Sequence, residues 1–110
     1  MSETLNVKRG DVGIPFEDDA DLEDADGNAV DLTGATVLFL LRTPSGQTYA
    51  RIGAVDPALR VVTYKSVAQD FEDVGAYYQE WQLTTSSGDI ATIPTEGQNH
   101  IFAAPDLNPT

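Results

Sequence analysis

Hydrophobic and polar side chains alternate along several short segments of this chain, with the period of two that is typical of half-buried β-strands. Residues 4–8 alternate around Leu5 and Val7, and residues 14–22 alternate through Phe16. The pattern predicts strands over residues 4–8, 14–22, 29–32, 36–43, 47–52, 59–65, 76–84, 90–93 and 100–103, and one helical turn within residues 66–72. Consecutive apolar residues over 36–43 favour a central strand that is covered on both faces, at least in part.

Turn sequences separate these segments about every ten residues, which is the spacing of an all-β sandwich. Residues 24–28, 44–47 and 86–89 each contain a Gly with Asp, Pro or Ser close by, as tight turns require. No segment supplies the crossover helices that a parallel α/β sheet needs. The sequence therefore predicts a single domain over residues 1–110, all-β, an antiparallel sandwich of about seven to nine strands.

The inward positions of the predicted strands define the expected core. It consists of Leu5, Val7, Phe16, Leu22, Leu32, Val37, Phe39, Leu41, Val61, Tyr77, Trp81, Leu83, Ile93 and Ile101. Trp81, Phe39 and Val37 are its expected centre.

A corner motif, Asp73-Val74-Gly75-Ala76-Tyr77, precedes the longest alternating strand. Immunoglobulin-like sandwiches enter strand F with such a Tyr, whose hydroxyl bonds back to nearby backbone, two residues before a cysteine. Here that position holds Gln79, and the chain has no cysteine. The sequence therefore predicts an immunoglobulin-like sandwich without a disulfide, with Asp73, Gly75 and Tyr77 as structural corner residues.

Composition narrows the possible partners. The chain has 18 acidic and 6 basic residues, a net charge of −12, and eight of the acids lie within residues 17–31 without a base. Nucleic acid is an unfavourable partner because phosphate binding depends on Lys and Arg. The longest apolar run, residues 37–41, is far shorter than the ~20 residues of a membrane helix, and residues 1–9 do not resemble a signal peptide. We expect a soluble protein made in a cytoplasm, with no membrane partner.

Candidate chemistry is sparse. His100 is the single histidine, and no motif places a nucleophile beside it, so a half-exposed strand residue is favoured. Asp24, Asp26 and Asn28 alternate like calcium ligands, but the sixth and twelfth positions of such a loop hold Ala29 and Ala35, which favours a plain turn. The sequence predicts no enzyme and no catalytic, cofactor-binding or metal-binding residue, although convergent carboxylates stay an open alternative.

Aromatic residues suggest a second alternative, a carbohydrate- or cell-surface-binding module. Such a module needs an exposed aromatic platform, for which Tyr49, Tyr64 and Tyr78 are the candidates. Tyr77 and Trp81 share the opposite, inward face of their strand and are assigned to the core.

The order of motifs resembles the N-terminal domain of phage baseplate upper proteins and related immunoglobulin-like domains of tailed-phage virions. The resemblance runs from Lys8 to about Ala103. It is carried by residues 8–11, 22–37, 70–81, 87–89, 92–94 and Gly97. Its most specific part is residues 26–37, which include the run Asp31-Leu32-Thr33-Gly34-Ala35-Thr36-Val37.

This resemblance implies a structural component of a tailed-phage virion, in the tail, baseplate, neck or capsid accessory layer, and a location in the virion after assembly in the host cytoplasm. The implied partners are other virion proteins, with homo-oligomers or many copies per particle. The family has no catalytic residue to carry over. Because the chain ends after the sandwich, we expect a free-standing accessory piece that docks through residues 1–8 and 104–110.

Overall fold

The computed structural model describes residues 4–94 and 97–105, which form nine β-strands and one turn of 3-10 helix. The strands are β1 (Thr4–Lys8), β2 (Pro15–Asp19), β3 (Thr36–Arg42), β4 (Thr48–Ile52), β5 (Ala54–Asp56), β6 (Val61–Lys65), β7 (Gly75–Thr84), β8 (Ile90–Ile93) and β9 (Asn99–Ala104). The 3-10 turn spans Ala68–Phe71, inside the segment where a helical turn was predicted.

Two sheets make a sandwich. The larger sheet has the order β1-β9-β7-β3-β4, and β8 pairs with the second half of β7. The smaller sheet has the order β2-β6-β5. Strands B, E and D of immunoglobulin domains likewise oppose the sheet that contains G, F and C. The predicted all-β, immunoglobulin-like sandwich is confirmed.

One strand pair departs from the predicted antiparallel arrangement, because β1 runs parallel to β9. β1 is followed by a strand of the other sheet, so no hairpin fixes its direction, and it adds to the open edge of β9. The parallel pairing continues past the strand, where Arg9 N–H donates to the Ala104 carbonyl at 2.8 Å.

Aromatic rings fill the space between the sheets. Phe39 contacts Phe16, Tyr64 and Trp81, with ring centroids 5.1, 4.3 and 5.2 Å away. The buried apolar residues are Val7, Phe16, Ala20, Leu32, Val37, Phe39, Leu41, Val62, Phe71, Tyr77, Trp81, Leu83, Ile93, Ile101 and Ala103. Most of the predicted core is therefore buried, including Trp81, Phe39 and Val37.

The register of β6 corrects the core prediction. Val62 is buried, while Val61 is only partly buried and points outward. The alternation breaks at Arg60, which has a left-handed backbone with φ +56°, so the following side chains are shifted by one residue. Leu5, also predicted in the core, is 41% exposed because it lies on the edge strand β1.

Residues 29–32 do not form the predicted strand, and the pairing there is a single bridge between Glu23 and Ala29. Backbone hydrogen bonds flank this bridge, with Val30 N–H donating to the Leu22 carbonyl at 2.9 Å and Asp24 N–H donating to the Asn28 carbonyl at 2.8 Å. The Arg60 guanidinium also donates to the carbonyls of Val30 and Leu22, at 2.7 and 2.9 Å. The predicted strand over 14–22 is correspondingly shorter.

The predicted docking segments are mostly strand or lie outside the described residues. Residues 4–8 form β1, and Ala104 ends β9. Residues 1–3 and 106–110 belong to the part of the chain that the structure does not describe.

Candidate functional site

The corner residues at the start of β7 contact backbone and each other. The Tyr77 hydroxyl donates to the Asp73 carbonyl at 2.8 Å and accepts from the Asp73 N–H at 3.1 Å. Gly75 has φ +135°, and a Cβ there would lie 3.0 Å from Pro44 side-chain atoms, so this position requires glycine. Burial raises the pKa of Tyr77. These contacts shape the entry to β7 and offer no group to a substrate.

A second polar cluster joins the two sheets. Trp81 Nε1 donates to Asp18 Oδ2 at 2.6 Å, and Asn99 Nδ2 donates to the same oxygen at 2.9 Å. Asn99 Nδ2 also donates to Gln79 Oε1 at 2.8 Å. Asp18 belongs to β2 of the smaller sheet, whereas its partners belong to β7 and β9 of the larger sheet. These hydrogen bonds connect the sheets at a position where many immunoglobulin domains carry a disulfide between strands B and F.

Asp70 is the centre of a third cluster, at the 3-10 turn. Its carboxylate is 1% exposed and accepts from Arg51 Nε at 2.9 Å, Tyr64 OH at 2.6 Å and Val67 N–H at 2.9 Å. Tyr49 OH donates to the Asp70 carbonyl at 2.9 Å. Burial, followed by the Asp70 charge, raises the pKa of Tyr49 to about 12, and burial together with the hydrogen bond to Asp70 raises the pKa of Tyr64. These groups satisfy one another's hydrogen bonds, so the cluster stabilises the turn.

The candidate chemistry stays scattered in the structure. His100 is exposed on β9, with its ring against Tyr78 at a centroid distance of 5.1 Å. Asp24 Oδ1 accepts from the N–H groups of Asp26 and Asn28, as a turn residue does. Within residues 4–94 and 97–105, no group of three or more His, Cys, Asp or Glu side chains could hold a metal ion. A search of the same residues found no helix with the length and apolarity to cross a membrane.

The three tyrosines proposed as a sugar platform do not share a face. Tyr64 stacks on Phe39 in the core, and Tyr49 points inward with its hydroxyl on Asp70. Tyr78 lies on the opposite side of the larger sheet, 38% exposed. The predicted platform is wrong because Tyr49 and Tyr64 sit at inward positions of their strands.

The outer side of the larger sheet is the most distinctive surface. We define the outer face as its outward side chains on five strands: Leu38, Leu40 and Arg42; Ala50 and Ile52; Tyr78, Glu80 and Gln82; Ile90 and Thr92; His100 and Phe102. Ile52, Ile90 and Phe102 are 85%, 64% and 42% exposed. Ile52 lies beside Leu38, whereas Ile90 and Phe102 lie opposite Thr84 and Ala76, at the two ends of β7. Exposed apolar side chains of this kind are a feature of interaction sites.

The charge of the outer face differs from that of the molecule. Arg42 and Glu80 are the charged residues among those that define it, and Lys8 of the adjoining β1 projects from the same side, while the whole chain carries −12. The acidic segment 17–31 begins on β2 and continues into the loops of the smaller sheet. Sequence reasoning did not identify this face, although the consecutive apolar residues of 36–43 were its signal: Leu38 and Leu40 point outward and are only partly covered.

Comparisons with known proteins support the fold. Among solved structures, the crystal structure of CopC from Methylosinus trichosporium OB3b is similar, with a TM-score of 0.57 and 14% sequence identity over 99% of this chain and 91% of that chain. No protein-family model matches the chain. A search of curated proteins found no match. At this level of identity, the likeness concerns the β-sandwich alone.

Proposed function

We propose that this chain is a structural component of a tailed-phage virion, in the tail, baseplate, neck or capsid accessory layer, and that it works through protein–protein contacts. The motif order of residues 8–103 supports this proposal by its resemblance to virion immunoglobulin-like domains. The sandwich and the outer face agree with a module that acts through its surface.

The observation that carries the proposal is the uncovered apolar side of β3. This central strand has an almost continuous apolar sequence, which is typical of strands covered on both faces. The smaller sheet covers Val37, Phe39 and Leu41, but the described residues leave Leu38 and Leu40 partly open. A neighbouring protein would complete the cover.

The neighbour that fits best is another copy of this chain. Two molecules that each carry −12 repel one another across most of their surfaces. The outer face is nearly neutral, so contact through it brings the fewest like charges together. Across a two-fold axis, Arg42 of each copy would face Glu80 of the other copy, which gives two pairs of opposite charges.

Absolute mass measured by size exclusion with light scattering tests this contact. We expect the wild-type chain to form a defined oligomer and Leu38→Glu, which places a carboxylate in the middle of the outer face, to reduce it to a monomer. Thr63→Glu adds the same charge to the outward side of the smaller sheet and should keep the oligomer. A wild-type monomer at every concentration, with a mass equal to that of Leu38→Glu, would contradict self-association through this face.

The virion context needs a separate measurement. Mass spectrometry of gradient-purified particles of a phage that encodes this chain should detect it in many copies per particle. If the infected cell contains the chain but the purified particles lack it, the structural role is overturned. Self-association through the outer face is not affected by that result.

A further inference from the structure

A groove opens between the two sheets on the side where β2 faces β1 and β9. It has a volume of about 440 Å³, within the roughly 300–1,000 Å³ of small-molecule sites. Its inward-facing lining consists of Leu5, Phe16, Asp18, Gln79, Asn99 and Ile101. This inward-facing part combines apolar walls with one carboxylate and two amides, and Pro15, Glu17 and His100 complete the lining.

One amide of this lining has a hydrogen-bond donor that no protein group uses. Gln79 is 2% exposed, and among residues 4–94 and 97–105 its Nε2 finds no acceptor. A buried donor without an acceptor is unfavourable, so such an atom requires an explanation.

The orientation of this amide follows from the neighbouring carboxylate. Because Asp18 can accept but not donate when it is ionised, Asn99 must turn its Nδ2 toward Asp18 Oδ2. The same Nδ2 then donates its second hydrogen to Gln79, which must present Oε1 to it. Rotating Gln79 by 180° would set two N–H donors against each other. The free Nε2 is therefore a consequence of the hydrogen-bond network.

Asp18 contributes the complementary group. The described donors to its carboxylate, Trp81 and Asn99, both end on Oδ2. Asp18 lines the groove, and no described donor ends on its Oδ1. A hydroxyl group both accepts and donates, so neighbouring hydroxyls can satisfy Gln79 Nε2 and Asp18 Oδ1 together.

We propose that the groove binds a neutral, hydroxyl-rich molecule of about monosaccharide size, with hydroxyls on Gln79 and Asp18 and its C–H face against Phe16, Leu5 and Ile101. An anion is disfavoured by the carboxylates of Asp18 and Glu17 at the groove. A bare cation would leave Gln79 Nε2 without an acceptor. Apart from His100, which lines the groove and also belongs to the outer face, the residues of this site are distinct from that face, and binding does not depend on self-association.

Titration followed by amide NMR tests the site. The full-length chain is titrated with glucose, galactose, N-acetylglucosamine, mannitol and glycerol, each alone. We expect at least one to shift the side-chain NH₂ signals of Gln79 and Asn99 and the backbone signals of residues 15–18 and 99–101. Gln79→Met removes the free donor with little change of volume and should weaken binding tenfold or more.

Gln82→Met is the matched control, because Gln82 lies on the same strand but on the outer face. It should bind as the wild type does. The proposal is overturned if none of the five compounds shifts these signals at saturating concentration, if shifts map to another surface, or if Gln79→Met binds equally well. A high-resolution crystal soaked in the same compounds that shows only a bound water on Gln79 would also overturn it.

Discussion

Tyr77 fixes the entry into β7 through a single phenolic oxygen that both donates to and accepts from the backbone of Asp73. Tyr77→Phe keeps the ring in the core and removes both hydrogen bonds, so we expect a loss of about 1–2 kcal/mol in the free energy of unfolding. Tyr77→Ala also removes the ring and should lose about 3–5 kcal/mol. Urea unfolding measures both changes.

Tyr78→Phe is the control for the hydroxyl, because Tyr78 is the next residue but lies on the outer face. It should change stability by less than about 0.5 kcal/mol. If Tyr77→Phe unfolds at the same urea concentration as Tyr78→Phe, the corner hydrogen bonds contribute nothing to stability.

Tyr49 and Tyr64 make stability depend on alkaline pH. Their pKa values are raised, that of Tyr49 from 10.0 to about 12, so the folded state favours the neutral phenols. Both contributions are present below pH 10; that of Tyr49 is lost as the pH rises from 10 to about 12, and that of Tyr64 also falls as the pH rises above 10. Unfolding free energies measured across this range should fall less steeply for Tyr49→Phe than for the wild type. Parallel curves would show that burial of Tyr49 has no proton linkage.

Single residues show where the sequence was informative. The corner sequence indicated Asp73, Gly75 and Tyr77 because each has a local backbone reason to be there. Asp18 was counted with the acidic surface, since its partners Trp81 and Asn99 are 63 and 81 residues away. A carboxylate that enters a core through such distant contacts carries no local signal.

At the scale of elements, Asp70 connects the 3-10 turn to β4 and β6. Asp70→Asn removes the charge that Arg51 and Tyr64 face, and breaking a buried pair commonly costs about 3–5 kcal/mol. The Arg51 side chain is 35% exposed and can be partly rehydrated, so we expect a smaller loss than that range, about 2–3 kcal/mol. Chemical denaturation measures the loss.

Asp21 provides the comparison for Asp70. It pairs with Arg60 at 3.2 Å, but its side chain is 79% exposed. Asp21→Asn should therefore change stability by no more than about 0.5 kcal/mol. Equal losses in the free energy of unfolding for Asp70→Asn and Asp21→Asn would mean that burial does not determine how much the Asp70 pair contributes to stability.

The strands were predictable where alternation is regular, and less so where the backbone departs from it. β5 was missed because Gly53, between β4 and β5, carries the chain from the larger to the smaller sheet without a turn sequence. A Cβ on Gly53 would lie 2.9 Å from the Thr63 carbonyl oxygen. The shift of β6 at Arg60 has the same origin, a backbone conformation imposed by tertiary contacts.

At the scale of the molecule, the clustered acidic residues are segregated from the outer face of the larger sheet. The acidic segment 17–31 follows the smaller sheet and its loops, while the outer face of the larger sheet balances one Arg with one Glu. Composition predicted the net charge but could not place it, because the strand order alone decides which residues share a face. The outer face was hidden for the same reason: β9, β7 and β3 are neighbours in the sheet but not in the sequence.

This segregation predicts how salt affects the folded state. Repulsion among the carboxylates of residues 17–31 destabilises the compact molecule, and salt screens exposed charges beyond about 10 Å at 0.1 M. Sodium chloride should therefore raise the melting temperature of the wild type.

The triple variant Asp19→Asn, Asp21→Asn, Glu23→Gln removes three of these charges and spares Asp18, so it should melt higher at low salt and gain less from added salt. Differential scanning calorimetry on Leu38→Glu, with and without the triple change, separates this effect from self-association. If the melting temperature does not rise with salt, or rises equally in both proteins, repulsion within the acidic segment does not destabilise the fold. The charge of this segment would then be available to act on a partner.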